Sequence, residues 1–139
     1  MESDSAIEEL KCVVVTPERA VLDTTADFVV VPMHDGELGI LPGRQPLIGR
    51  LGYGELRTVQ GNTTRRYYVD GGFVQVRSDV VTLLTAKAVP TEELKEAAAD
   101  AALQEALKPA MTPESQEAQA IAQLRARAQL RIIHKQTET

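Results

Sequence analysis

A chain of 139 residues has room for one conventional domain, or for a small domain with an appendage, and excludes a multi-domain machine. Its core must be aliphatic, because 43% of the residues are hydrophobic yet only two are Phe, three are Tyr and none is Trp. A formal charge of -5 argues against a polyanion-binding surface, so no nucleic-acid partner is expected, and the single Cys12 excludes an intrachain disulfide or a thiolate metal cluster.

The acidic start Met1-Glu2-Ser3-Asp4 is the opposite of a basic signal-peptide end, and no apolar run approaches the roughly 18 to 20 residues that cross a bilayer. The chain is expected to be soluble by itself and still able to dock peripherally on a membrane complex. Leu10 to Val15 reads LKCVVV, a β-branched run too short for a globular helix and stopped by Thr16-Pro17, which predicts a first strand. Ala20 to Val31 predicts a second, bent near Ala26-Asp27 and ended at Pro32, whose missing N–H would break a central ladder. From Pro32 the segment HDGELGILPGRQPL is punctuated by Gly and Pro, so only short extended pieces fit between its turns. Further strands are predicted at Gly54 to Val59, Arg65 to Val69, Phe73 to Arg77 and Val80 to Ala86. Asp70-Gly71-Gly72 reads as a turn between two of them. No helix intervenes to make a parallel crossover, so antiparallel hairpins in a sandwich or partly closed barrel follow.

The pattern changes at Pro90. Thr91 is placed to cap a helix over 91–107, with Glu92 and Glu93 in its first turn and Ala97, Ala98, Ala99, Ala101 and Ala102 raising its intrinsic propensity. Lys108-Pro109 ends it. Thr112 before Pro113 suits the N-cap and first residue of a second helix that runs to about His134. Leu94 and Ser115 stand where the Glu of a full capping box belongs. The short link makes an antiparallel hairpin natural. In the second helix Ile121, Leu124 and Ala128, extended by Ile132, form an apolar stripe at three- and four-residue steps. Arg125, Arg127, Arg131 and Lys135 crowd its far end, which suits the helix dipole and also a surface for an acidic partner. Residues 1–88 therefore read as a β domain and 89–139 as a two-helix hairpin with its tail.

Chemistry is sparse. Only His34 and His134 are available as histidines, and no HExxH, paired CxxC, GxSxG or GxxxxGK segment exists. Glycines are dense between Gly36 and Gly54, but the strand, Gly-rich turn and helix of a nucleotide loop do not follow one another there, so they read as tight turns. No catalytic residue, metal site or cofactor is expected.

Three segments in order, DGELGILPGRQPLIGRLGYGEL at 35–56, YYVDGGFVQVRSDVVTLLTAKAV at 67–89 and AIAQLRARAQLRI at 120–132, resemble the epsilon subunit of F-type ATP synthases. The first two are specific in combination, and with Leu10 to Val15 the resemblance covers nearly all of the chain. It implies a flattened antiparallel β-sandwich of about ten strands plus a C-terminal helical hairpin. It also implies a non-catalytic central-stalk subunit that binds the gamma subunit and the polar loops of the c-ring. The hairpin would reach the alpha and beta subunits when it extends, and could there inhibit ATP hydrolysis.

Glu37 matches the family's acidic ring-facing position, and Arg44 stands where the bacterial pattern has His, so a histidine-mediated ring contact does not carry over. Arg125, Arg127 and Arg131 are the implied inhibitory contacts. In the stretch that matches the family's ATP-sensing motif, Leu94 to Ala99, Lys95 replaces the acid and Ala98 the arginine, which removes both charged groups. The implied location is peripheral, on the cytoplasmic face of the bacterial inner membrane, with a plastid thylakoid left open. The competing reading from composition alone is a β-sandwich adaptor with a helical interaction tail in an unrelated complex.

Overall fold

The computed structural model describes residues 9–137, and the chain divides into two compact units, Met1–Ala88 and Val89–Thr139. The first unit is built from strands β1 (Leu10–Val15), β2 (Ala20–Ala26), β3 (Phe28–Met33), β4 (Gly36–Ile40), β5 (Leu47–Gln60), β6 (Thr63–Arg77) and β7 (Val80–Leu84). A three-residue β8 (Ala88–Pro90) straddles the boundary. Among the described residues the sheet has eight strands, seven of them in the order β2-β1-β7-β6-β5-β3-β4.

The first strand follows its sequence pattern: Leu10, Cys12 and Val14 are buried and the residues between them are not. The long run after Ala20 is cut at Asp27, which is drawn out of the ladder by two turn contacts. Its N–H donates to the Val59 carbonyl at 2.7 Å and its carboxylate accepts from the Gly61 N–H at 2.7 Å. The next strand then runs through Pro32 to Met33 rather than stopping before the proline. It can do so because the β3–β5 register shifts between Val30 and Met33, so the missing donor falls in a gap of the ladder.

Among the described residues eight strands stand where about ten were expected, and the two longest explain the difference. β5 and β6 have 14 and 15 residues, more than twice the common strand length of about 5 to 6. Both change phase part-way. In β5 Leu51 is buried on odd numbering and Leu56 and Thr58 on even; in β6 Val69 gives way to Val74 and Val76. A phase change of one residue turns the side chains to the opposite face, so each long strand serves two faces of the sandwich in turn. In β6 the change falls at Gly71 (φ +73) and Gly72 (φ +109), left-handed conformations that sequence reading assigns to a turn. The ladder continues on both sides of them, with Leu51 opposite Gly72 and Tyr53 opposite Asp70.

One pair departs from the antiparallel expectation. β1 and β7 run parallel, Cys12 beside Val81 and Val14 beside Leu83, with the intervening strands instead of a helix as the crossover. Inward residues of the seven strands form one aliphatic core, including Leu10, Val14, Val29, Val31, Leu56, Val74, Val81 and Leu83. Each such side chain contributes about 1.5 to 3 kcal/mol when fully buried, which makes this core the main source of stability in the unit.

In the second unit the first helix starts later than expected. Thr91–Glu93 forms a 3-10 turn, Leu94 and Lys95 are extended, and α1 spans Glu96–Ala106 with no side-chain cap. Thr91 lies in the 3-10 turn and not at the helix start, and its buried hydroxyl accepts a 2.7 Å hydrogen bond from Gln136 Nε2. α2 (Pro113–Thr137) begins as its sequence predicts, with the Ser115 N–H donating to Thr112 Oγ1 at 3.1 Å. Ser115 takes the place of the expected Glu, its Oγ accepting the Thr112 N–H at 3.1 Å.

The two helices form an antiparallel hairpin. Gln123 Nε2 reaches the Ala106 carbonyl at 3.0 Å near one end, and His134 Nε2 meets Glu96 Oε2 at 3.1 Å near the other. The apolar stripe is shifted from its expected line: Leu124 is 56% exposed, and Ala126, Ala128, Ile132 and Ile133 are the buried residues. Alanine permits close approach of backbones but removes little area from water, so the hairpin is held more weakly than the sheet.

Candidate functional site

The register of five strands specifies an outer sheet face. With Leu10, Cys12, Val14, Leu22, Val74, Val76, Val81 and Leu83 turned inward, the residues between them point outward. Cross-strand pairing sets these in rows. Arg50 lies beside Phe73, Phe73 beside Leu84 and Leu84 beside Val15; in the next row Ile48 lies beside Gln75, Gln75 beside Thr82 and Thr82 beside Val13. Ile48, Phe73 and Leu84 are 77%, 55% and 54% exposed. Three large apolar side chains are thus gathered on one face rather than scattered singly, the distribution expected of an interaction surface.

Folding could have assembled a catalytic constellation that sequence spacing hides, and the described residues contain no group of three or more His, Cys, Asp or Glu placed to hold a metal ion. Cys12 is buried, and its pKa is pushed up to about 12 by desolvation first and by the charge of Asp23 second. Its thiolate is therefore suppressed, and with it nucleophilic chemistry.

The residues singled out in sequence fall in separate places. Glu37 is the second residue of β4 and pairs with Arg57 at 3.3 Å. Arg57 also meets the buried Glu55 at 3.4 Å, and Glu55 meets Arg66 at 3.3 Å, so the acid belongs to an alternating chain of charges across three strands. Arg44 is exposed in the loop beyond Ile40, past the far end of the strand that begins beside Glu37. That loop is pinned by Asp79, whose carboxylate accepts the Gly43 N–H at 2.8 Å. Arg125, Arg127 and Arg131 are exposed on α2. Sequence reading missed Ile48, Phe73 and Leu84; the alternation in Phe73 to Arg77 identifies two faces of a strand, but both carry apolar residues.

The family model described as ATP synthase, Delta/Epsilon chain, beta-sandwich domain matches residues 9–91. An ATP synthase epsilon chain of Rhodopirellula baltica is 54% identical over 123 residues, which cover 88% of this chain and 96% of that relative. Among solved structures, a chain of the Euglena gracilis mitochondrial ATP synthase OSCP/F1/c-ring assembly superposes with a TM-score of 0.82 at 23% identity, covering 92% of this chain and 83% of its own length. A chain of the Tetrahymena thermophila mitochondrial ATP synthase central stalk and c-ring gives 0.70 at 15% identity, covering 88% and 94%. At these identities the two structures establish likeness of fold.

Proposed function

Since the chain belongs to the family of ATP synthase epsilon chains, we propose that it is a non-catalytic subunit of the central stalk, carrying rotation between the c-ring and the catalytic head. The observation that carries the mechanism is the outward face of Ile48, Phe73 and Leu84, which we assign to the gamma subunit. An apolar patch on a hydrogen-bonded sheet is suited to this work, because its residues keep their spacing under load while the apolar contact supplies affinity. The polar c-ring loops are assigned to Glu37 and Arg44. A ring contact through Glu37 has to compete with Arg57, whereas Arg44 is free of any such pair among the described residues. We assign the chain, as the family resemblance implies, a peripheral place on the cytoplasmic face of the bacterial inner membrane; no helix among the described residues is long and apolar enough to cross a membrane. Co-purification with the alpha, beta and gamma subunits tests the assignment. Reproducible isolation only with an unrelated complex would return it to an adaptor.

The hairpin is assigned a regulatory role, extending to the alpha and beta subunits and restraining ATP hydrolysis through Arg125, Arg127 and Arg131. Removal of the chain after Ala88, and replacement of the three arginines by glutamine, should each raise ATP hydrolysis by the assembled enzyme after equal incorporation is confirmed. Exposed ion pairs contribute only about 0 to 1 kcal/mol each, so the triple variant is expected to be the milder of the two. Equal rates for wild type and both variants would remove the inhibitory role and leave the stalk assignment standing.

The same truncation tests whether residues 1–88 are a separable domain. We expect them to keep cooperative β structure by circular dichroism, because the aliphatic core is supplied by residues up to Ala88. Loss of the cooperative transition would show that the helices are part of the core.

A further inference from the structure

We infer that the gamma surface docking on this face is apolar at its centre and carries carboxylates at its rim, opposite Arg50 and Arg77. The inference rests on the assignment of the face to gamma and specifies the chemistry of that partner.

The face is electrostatically one-sided although the chain as a whole is acidic, at -5. Its strand residues carry Lys11, Arg50 and Arg77 against Asp23 alone, and Asp23 is taken by Lys11 at 3.7 Å. Among the described residues neither the Arg50 nor the Arg77 guanidinium has an acidic partner, and both side chains are exposed. Their positions are set by the sheet. Arg50 is the direct cross-strand neighbour of Phe73, and its backbone carbonyl is held by the His34 N–H at 3.1 Å. Arg77 is one same-face step beyond Gln75, which itself pairs with Ile48, and so flanks the patch from the other side.

A partner that covers Phe73 also takes water from Arg50. Desolvation of an unpaired guanidinium opposes binding, and the protein supplies no anion of its own to offset it. An acceptor on the partner resolves the conflict, and a carboxylate does so best, since it can take two parallel N–H donors from the planar fork. The same arrangement steers approach, because charges outside the apolar centre act before contact is made.

The test is association of the full chain with an assembled alpha–beta–gamma subcomplex, followed at about 50 and about 500 mM salt, where screening differs severalfold. Arg50→Glu and Arg77→Glu should each weaken binding about tenfold or more at low salt, mainly through slower association. Arg50→Lys and Arg77→Lys should retain most of it, and wild-type association should slow as salt rises. These positions are exposed, so unchanged thermal midpoints are expected and confirm that folding is intact. If both reversals bind like wild type and salt has no effect, while Phe73→Asp loses binding, the acidic rim is wrong and the docking face stands. Unchanged binding by Phe73→Asp would overturn the docking assignment and the inference with it.

Discussion

Replacing Gly72 with alanine is expected to destabilise the β unit by about 3 to 5 kcal/mol, a large part of the roughly 5 to 15 kcal/mol that holds a small domain folded. Two effects add at this position. The backbone has φ +109, where side chains other than hydrogen are strained. A Cβ would also lie 1.9 Å from the Leu84 carbonyl oxygen and 2.9 Å from Thr85 Cα, atoms of the neighbouring backbone that no rotamer change can move. The strands would have to separate where Phe73 pairs with Leu84, beside the proposed docking face. Gly61 is the internal control. It too has positive φ, at +58, but a Cβ there meets nothing within 4 Å, so Gly61→Ala should cost only about 1 kcal/mol, the left-handed penalty alone. Urea unfolding of the two variants measures the contrast. Losses equal within experimental error would refute the close approach at Gly72.

The second large effect is on association and not on folding. Ile48→Asp combined with Phe73→Asp should weaken docking on gamma by about 2 to 4 kcal/mol, roughly 30- to 1000-fold, as expected when central apolar anchors are replaced by charges that must be desolvated. Because both side chains are more than half exposed, folding stability should change by only about 0.5 kcal/mol per site. Val74→Asp supplies the opposite outcome one residue away. Val74 is 1% exposed and faces the core, so a carboxylate there should prevent stable folding. If Phe73→Asp unfolds the unit as Val74→Asp does, the face is not a surface. If the double variant docks normally, gamma binds elsewhere.

The chemistry of local sequence was enough for several elements. Leu10–Val15 is rich in β-branched residues and is stopped by Thr16-Pro17, and Thr112-Pro113 starts a helix because a hydroxyl and a fixed φ are both useful there. The all-β start followed by a two-helix hairpin follows from the change of period at Pro90. These features depend on neighbours in the chain, so they are written in it.

Other features required partners distant in sequence. Gly71 and Gly72 have the conformations of a turn, but β5 carries the ladder past them, from Tyr53 beside Asp70 to Leu51 beside Gly72, so they bend a long strand instead of ending it. Pro32 continues a strand only because a register shift elsewhere leaves its missing donor unneeded. Thr91 lies in a 3-10 turn ahead of the helix, where its hydroxyl accepts from Gln136, 45 residues away. Glu37 carries the acid that the resemblance points to, yet only folding sets it against Arg57. Alternation likewise shows that Phe73 and Val74 face opposite ways, but both are apolar. Which of them is sealed in the core is decided by tertiary packing: Val74 joins the buried cluster that contains Val29, Val31, Ile40 and Leu56, and Phe73 is left in water.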